Sequence, residues 1–168
     1  MKIAVVSSKN RGETDRLISD TAAFLQLKGV RLTGIVKVLE QEQDASCACD
    51  MAVQVLPDGP VIPITQDLGE GSDACRLDPG AIARAVGEVE KRPLEGTQIF
   101  ILNKFGPEEA EGRGFRNAIG AALTAGVPVL IGVGASSRPA FDAFADGLAE
   151  ILPPEAGAIR DWCERVIS

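Results

Sequence analysis

The sequence predicts a three-layer α/β domain with a mostly parallel sheet, and three observations support this prediction. Short, continuous apolar runs indicate strands that are buried on both faces. Segments with helical apolar spacing separate these runs, as βαβ crossovers require. A turn signal at Asp58-Gly59, between two short β-type segments, predicts a small antiparallel β insertion over about residues 45–66.

The composition fits a single domain spanning residues 1–168. Of the 168 residues, 45% are hydrophobic and 24% are charged, which is enough for one sizeable core. The formal charge of −7 argues against nucleic acids and anionic membranes as partners, because phosphate polymers are bound by basic surfaces. The apolar runs are too short for a transmembrane helix and no signal peptide is recognisable, so we expect a cytoplasmic protein.

The chain contains no histidine and four cysteines. The lack of histidine excludes Ser-His-Asp and Cys-His nucleophile pairs and every histidine-containing metal site. Cys47, Cys49 and Cys75 form a weak candidate for a soft-metal or redox site, because tetrahedral zinc sites use four ligands. The alternative is that they are reduced thiols without a ligand.

In the first half of the chain, strands are predicted at residues 3–6 and 30–39, with a helix at 13–28 between them that ends at Gly29. Residues 40–44 are polar and predict an exposed loop. The insertion contributes strands at 51–56 and 61–65, and residues 66–76 lack periodicity and predict a loop. Asp78 and Pro79 then mark the start of a helix, as N-cap and first helical residue.

In the second half, a buried strand at residues 98–102 ends at the polar segment 103–106. A helix that begins near Phe115 leads to a third buried strand at 128–133. The next helix is capped by Ser136-Ser137 and is predicted to continue through Leu152, until two prolines break it. A final helix from Pro154 buries Trp162.

The loop after the first strand resembles the phosphate-binding pattern GxxxxGK[ST]. Gly12 and Thr14 fit the pattern, whereas Ser7 replaces the first glycine and Glu13 replaces the lysine. A carboxylate at this position is stabilised by the helix dipole and would repel a nearby phosphate, although Lys9 and Arg11 could compensate. The alternative is a structural loop in which Thr14 or Asn10 caps the helix.

Asn103 and Lys104 follow the strand at 98–102, where ligands bind in open α/β sheets. The pair does not complete a guanine-reading motif, because Gly106 stands where the aspartate would be. Lys104 is predicted to supply the positive charge that Glu13 removes from the loop. The alternative is a salt bridge of Lys104 with Glu13, Glu109 or Glu111.

Further polar residues could contribute to the same ligand site. The loop that starts at Gln66 and ends at Arg76 could close over a ligand, or it could be a plain connector. Arg113 adds a donor for an oxyanion, unless it is only solvated. The candidate ligand-binding residues are therefore Lys9, Arg11, Gly12, Thr14, Gln66, Arg76, Asn103, Lys104 and Arg113.

Several blocks of the sequence resemble an uncharacterised bacterial family, a domain of unknown function in the P-loop superfamily. The blocks are Cys49-Asp50-Met51, Thr65-Gln66-Asp67-Leu68-Gly69, Cys75-Arg76-Leu77-Asp78-Pro79, Leu102-Asn103-Lys104-Phe105-Gly106 and Glu109-Ala110-Glu111-Gly112-Arg113-Gly114. Members are often annotated near molybdenum ABC-transporter genes and are sometimes mislabelled as transporter ATPases. The resemblance implies a P-loop NTPase-like fold and associates the chain with molybdenum.

The order of elements is also distantly similar to that of small nucleoside-triphosphatases. Those enzymes carry an Asp-Glu pair after the Walker B strand, where this chain has Asn103 and Lys104. Together with Glu13, three positions of the hydrolysis machinery are therefore replaced, which argues against an enzyme. The leading hypothesis is a degenerate P-loop-like domain that binds a small anionic ligand, a nucleotide or an oxyanion such as molybdate. The alternatives are a regulatory or adaptor protein with a vestigial loop and a protein partner, and an atypical nucleoside-triphosphatase that uses Lys104 with Glu109 or Glu111.

Overall fold

The computed structural model describes residues 2–38, 51–66 and 76–167. Within these ranges the chain forms a seven-stranded sheet and a separate two-stranded one. The strands of the large sheet are β1 (Ile3–Val6), β2 (Leu32–Lys37), β3 (Ala52–Leu56), β4 (Val61–Pro63), β7 (Ile99–Phe105), β8 (Val129–Val133) and β9 (Glu150–Leu152). The small sheet pairs β5 (Thr65–Gln66) with β6 (Arg76–Leu77) in antiparallel orientation.

Six α-helices are described besides a 3-10 turn at Ala135–Ser137. They are α1 (Glu13–Leu27), α2 (Pro79–Glu90), α3 (Pro107–Ala110), α4 (Arg116–Thr124), α5 (Arg138–Ala145) and α6 (Ala156–Ile167). Asp78 caps α2 as predicted, because its Oδ1 accepts a hydrogen bond from the Gly80 N–H at 3.0 Å.

The large sheet has the order β4-β3-β2-β7-β8-β1-β9 and is mostly parallel. Strand β2 pairs in parallel with β7, β7 with β8, β8 with β1, and β1 with β9. Strands β3 and β4 are antiparallel and extend the sheet beyond β2, so the antiparallel hairpin predicted around Asp58-Gly59 is confirmed. The residues of the predicted insertion before Met51 lie outside the described part of the chain.

Apolar side chains cover both faces of the sheet, and this confirms the three-layer prediction. Alternate residues of β1 divide between the faces: Ile3 and Val5 pack on one side, Ala4 and Val6 on the other. The first side is covered by α2, α4 and α5, and the second by α1 and α6. Strands buried on both faces explain the continuous apolar runs of the sequence.

Two predicted boundaries in the second half of the chain are wrong. The helix expected to continue through Leu152 ends at Ala145, and Glu150–Leu152 instead forms the edge strand β9. Asp146 adopts a left-handed conformation and ends α5, while pairing with β1 is available to the residues that follow. Since a short segment beside a turn carries little periodicity, tertiary pairing decided its structure.

Strand β7 is also longer than predicted, because it includes Asn103 and Lys104 and ends at Phe105. Its pairing with β8 is irregular between Leu102 and Phe105. The buried Phe105 ring packs edge-to-face on Phe141 of α5, with 5.4 Å between ring centroids. This contact fixes the end of the strand that carries Lys104.

Candidate functional site

A cavity of about 190 Å³ lies at the carboxyl edge of the sheet. Parallel strands place their carboxyl ends on the same edge, so the loop after β1, the end of β7 and the residues after β8 meet there. The cavity is lined by Ser8, Lys9, Asn10, Arg11, Gly12, Thr14, Asp15, Asn103, Lys104, Val133 and Gly134. The opening loop and the Asn103-Lys104 pair therefore share one site, as their positions after strands predicted.

The opening loop is closed by hydrogen bonds of its own. Gly12 occupies the N-cap position of α1 with φ +75°, a conformation that glycine adopts without strain. The Thr14 hydroxyl oxygen accepts a hydrogen bond from the Ser8 N–H at 2.9 Å, which ties the start of the loop to the first helical turn. Neither Thr14 nor Asn10 caps α1 through its side chain, so the predicted capping role of these residues is wrong.

Glu13 turns back onto the loop. Its carboxylate accepts hydrogen bonds from the Ser8 hydroxyl at 2.6 Å and from the Asn10 side-chain amide at 3.2 Å, and the Arg16 guanidinium lies 3.7 Å away. The Ser8 and Asn10 hydrogen bonds lower the pKa of Glu13, so the group stays ionised at neutral pH. Glu13 is not among the residues that line the cavity.

These contacts change the expected role of Glu13. The carboxylate is engaged by the loop itself and does not line the cavity, so the repulsion expected for a phosphate in the cavity would be weaker. The salt bridge considered between Lys104 and Glu13, Glu109 or Glu111 is not formed within the described residues. Strand β8 also separates β7 from β1, so Lys104 lies on the second strand from the loop rather than on its neighbour.

Three cations face the cavity. Lys9, Arg11 and Lys104 are exposed, and none of them forms an ion pair within residues 2–38, 51–66 and 76–167. Three cations and the N-terminus of a 15-residue helix outweigh the one carboxylate that lines the cavity among the described residues, Asp15, so the balance of charge there is positive. The arrangement favours a small anion.

Asp15 lines this cavity and Lys37 contacts Asp15, and neither residue was predicted. One Asp15 carboxylate oxygen accepts a hydrogen bond from the Asn103 amide at 3.4 Å, and the other lies 3.7 Å from the Lys37 ammonium. Asn103 itself is buried, with 8% of its surface exposed. Asn103 was predicted because polar residues at the carboxyl end of a parallel strand lie where ligands bind in open α/β sheets. Lys37 meets the same criterion, because it is the last residue of the parallel strand β2.

A second cavity, of about 270 Å³, adjoins the first. The two share Asp15, Asn103 and Lys104. Most other residues of the second cavity are apolar and come from β2, the β3–β4 hairpin, α2 and the N-terminus of α4. It is lined by Asp15, Ile35, Lys37, Met51, Val53, Ile64, Ile82, Ala85, Asn103, Lys104, Gly106, Pro107, Glu108, Glu109 and Phe115.

The buried carboxylate of Glu109 holds the segment after β7 in place. It accepts hydrogen bonds from the Gly106 N–H at 3.1 Å and from the Phe115 N–H at 3.3 Å. Burial raises the pKa of Glu109 despite these hydrogen bonds. Gly114 has φ +60°, and a Cβ there would lie 2.6 Å from Glu109 Oε1, so the glycine is required for this packing.

The structure does not bring every predicted residue to the cavity. Arg113 is mostly exposed and pairs with Glu108 at 2.9 Å, and it lines neither cavity. Gln66 and Arg76 face each other across the β5–β6 pair, where only their backbone register is described. Cys47, Cys49 and Cys75 lie outside the described residues, as does most of the loop between Gln66 and Arg76.

The described residues form neither a cluster of metal ligands nor a membrane-spanning helix. No group of three or more aspartate, glutamate or cysteine side chains in this part of the chain is arranged to hold a metal ion. None of the helices described here combines the length and apolar character that crossing a bilayer requires.

Comparison with solved structures identifies the fold. The chain superposes on the solution structure of a human cancer-related nucleoside triphosphatase with a TM-score of 0.66 and 12% identity, covering 99% of this chain and 96% of that one. It superposes on the crystal structure of THEP1 from Aquifex aeolicus with a TM-score of 0.57 and 13% identity, with the same coverage of both chains. The fold is therefore P-loop NTPase-like, as the sequence resemblance implied.

Comparison with curated proteins gives a relative with higher identity. The chain is 32% identical over 161 residues to the molybdenum import ATP-binding protein ModC 2 of Bradyrhizobium diazoefficiens. The match covers 96% of this chain but only 18% of that protein. The family profile for "Protein of unknown function (DUF2478)" matches residues 3–162, and the chain therefore belongs to this family.

Proposed function

We propose that this protein binds a small anionic ligand in the cavity formed by the opening loop and the end of β7, with little or no hydrolysis. The observation that carries the proposal is the convergence of Lys9, Arg11 and Lys104 on one cavity of about 190 Å³ without ion-pair partners among the described residues. The candidate anions are a phosphate group, such as that of a nucleotide, and an oxyanion such as molybdate.

Backbone N–H groups of the opening loop support the proposal that an anion binds in this cavity. The N–H groups of Ser8, Asn10 and Glu13 are occupied by acceptors within the loop. For the N–H groups of Lys9, Arg11 and Gly12 no acceptor is found among the described residues. Free N–H groups at the start of a helix are the donors that phosphate-binding loops use.

Two similar proteins suggest the two kinds of anion. One structural neighbour is a nucleoside triphosphatase, which supports a nucleotide phosphate. The curated relative is a molybdenum import ATP-binding protein, which supports either ATP or an oxyanion of molybdenum. The chain spans 18% of that relative, so neither ligand follows from its name.

The residues at the end of β7 argue against efficient hydrolysis. Phosphoryl transfer from nucleotides uses a carboxylate to hold Mg²⁺ and a second polar group to position the attacking water. Here Asn103 provides a neutral amide and Lys104 a cation. In the described part of the chain, the carboxylate that lines the cavity is that of Asp15, and its two oxygens already contact Asn103 and Lys37.

Binding is tested by calorimetric titration with ATP, ADP, GTP, GDP, molybdate and sulfate, comparing wild type with Lys104→Ala. Loss of one charge-assisted contact is expected to weaken binding by about tenfold to a hundredfold. Lys91→Ala is the matched control, because Lys91 has the same charge and pairs with Glu88 outside the cavity. No binding of any of these anions by wild type would contradict the proposal and favour an adaptor function.

Phosphate release separates binding from catalysis. With saturating nucleotide and Mg²⁺, the proposal predicts release no faster than in a protein-free control. Release that is lost in Lys104→Ala would contradict the absence of hydrolysis and favour an atypical nucleoside-triphosphatase.

A further inference from the structure

The second cavity adjoins the loop cavity, and Asp15, Asn103 and Lys104 line both of them. From this geometry we propose that the ligand is a phosphate monoester with a compact apolar body, in which the phosphate lies in the loop cavity and the body fills the second cavity. The inference rests on the proposed anion binding and names the chemical class of the ligand, an aromatic or short aliphatic phosphate ester.

The walls of the second cavity are apolar. Ile35 and Val53 come from neighbouring strands, Ile82 from α2 and Phe115 from the N-terminus of α4, and each is at most 9% exposed. Half-buried Ile64 completes the wall beside the β3–β4 hairpin. Ligand sites of this kind combine apolar walls with a few polar groups that fix orientation.

Charges orient the ligand within the cavity. Lys104 lines both cavities, and Lys37 lines the second one, where its ammonium lies 3.7 Å from the Asp15 carboxylate. The carboxylates Glu108 and Glu109 line the side formed by α3. Around the shared residues that the structure describes, the cations Lys104 and Lys37 outnumber the one carboxylate, Asp15, whereas the α3 side carries two carboxylates. An anionic group is therefore drawn towards the shared residues, and the apolar body lies towards the walls.

The same walls disfavour a nucleobase in the second cavity. A base carries several hydrogen-bonding groups, and burying them without partners weakens binding. Asn103 is engaged with Asp15, and the Glu109 carboxylate with two backbone N–H groups. The second cavity therefore selects an apolar body, whereas the loop cavity alone does not distinguish phosphate esters.

The direct test titrates the full chain, labelled at its isoleucine methyl groups, with phenyl phosphate and with inorganic phosphate. Methyl resonances of Ile35, Ile64 and Ile82 should shift with phenyl phosphate and not with inorganic phosphate. Resonances of Ile18 and Ile159, which are buried on the opposite face of the sheet, should stay unchanged with both. Phenyl phosphate should bind at least about tenfold more tightly than inorganic phosphate, because the phenyl ring buries additional apolar surface.

A variant pair tests the second cavity separately. Ile64→Trp is expected to weaken phenyl phosphate binding about tenfold and to leave inorganic phosphate binding unchanged, because the larger side chain occupies the cavity. Val61→Trp is the control, since Val61 is 52% exposed on the edge strand β4 and lines neither cavity.

The outcomes distinguish this inference from the proposed function. If both phosphates bind equally and the three wall methyl groups do not shift, the apolar-body proposal is wrong while anion binding stands. If neither phosphate binds and none of the anions titrated above binds, both proposals are wrong. Should Ile64→Trp not fold, the methyl shifts of the wild-type protein alone decide whether an apolar body binds in the second cavity.

Discussion

At the scale of single residues, the position of the Walker lysine shows how contacts alter the meaning of a pattern. The sequence places a carboxylate, Glu13, where a phosphate loop has a lysine. In the structure, this carboxylate accepts hydrogen bonds from Ser8 and Asn10 and does not line the cavity, whereas Lys9, Arg11 and Lys104 do. The substitution was visible in the sequence, but the direction of the side chain was not.

Glu13→Lys is expected to strengthen ATP binding by about tenfold or more, since an ammonium at the start of α1 adds a charge-assisted contact to the phosphates. Calorimetric titration of wild type and the variant measures this. Asp161→Lys, at an exposed position on α6, has the same change of charge and should leave the affinity near that of wild type. Equal affinities of wild type and Glu13→Lys at high ATP would show that the backbone is not shaped for a phosphate.

Gly114→Ala should lower the free energy of unfolding by about 1–3 kcal/mol, because it combines a positive φ with a close approach to Glu109. Urea denaturation of both proteins measures the difference. Gly120→Ala is the control within the adjoining helix α4, where a Cβ meets no atom within 4 Å. It should stabilise the protein by about 0.5–1 kcal/mol, so the two substitutions should have opposite signs.

At the scale of elements, Glu109 connects the end of β7 to α3 and α4. Its two hydrogen bonds to backbone N–H groups span residues 106 to 115 and explain the block of glycines and carboxylates in this part of the sequence. That block was recognisable as a motif. Its structural role could not be predicted from the sequence. The two N–H groups that Glu109 binds, those of Gly106 and Phe115, are nine residues apart in the chain and come together only when the helices pack.

Glu109→Ala is expected to lower the free energy of unfolding by about 2–4 kcal/mol, because two buried N–H groups lose their acceptor. Since burial raises the pKa of Glu109, the folded protein keeps this proton at pH values where the unfolded chain has released it. The contribution of the group is thus fully present below its ordinary pKa of 4.5 and declines as pH rises through the raised value.

Urea denaturation of wild type and Glu109→Ala from about pH 4 to about pH 8 measures this dependence. The difference in free energy of unfolding between the two proteins should become smaller as pH rises. Glu111→Ala, an exposed neighbour, should show little difference at any pH. A difference that grows with pH would mean that the ionised carboxylate is the favoured form in the folded state.

Elements marked by a clear apolar or turn pattern were predicted correctly, whereas strand β9, which has none, was not. Helix α1 and strand β8 were identified from apolar spacing and from a continuous apolar run. Strand β9 has three residues and was assigned to the preceding helix. Its structure depends on pairing with β1, more than 140 residues earlier in the chain, which no local pattern records.

At the scale of the whole molecule, we propose that the described elements form one cooperative domain. Both faces of one sheet are covered by helices, and the core clusters on these faces share strands β1, β2, β3, β7 and β8. Because disruption of the sheet exposes both clusters, partial unfolding is unfavourable.

Unfolding by urea should therefore give coincident transitions when followed by the fluorescence of Trp162 and by far-ultraviolet circular dichroism. Trp162 is the chain's single tryptophan and is 2% exposed on α6, so its emission reports packing on one face of the sheet. The dichroism reports helices on both faces. Two separate midpoints would contradict the single domain.

The sequence by itself determined the fold class, the order of most elements and the location of polar residues after β1 and β7, because these follow from local periodicity and from the parallel arrangement it implies. Only the tertiary structure decided which charges face one another. It turned Glu13 onto its own loop, joined Asp15 to Asn103 and Lys37, and placed a largely apolar cavity beside the cavity of the opening loop. The physical reason is that these contacts depend on how the loop folds back on itself and on the packing of elements distant in the chain, which no local sequence pattern records.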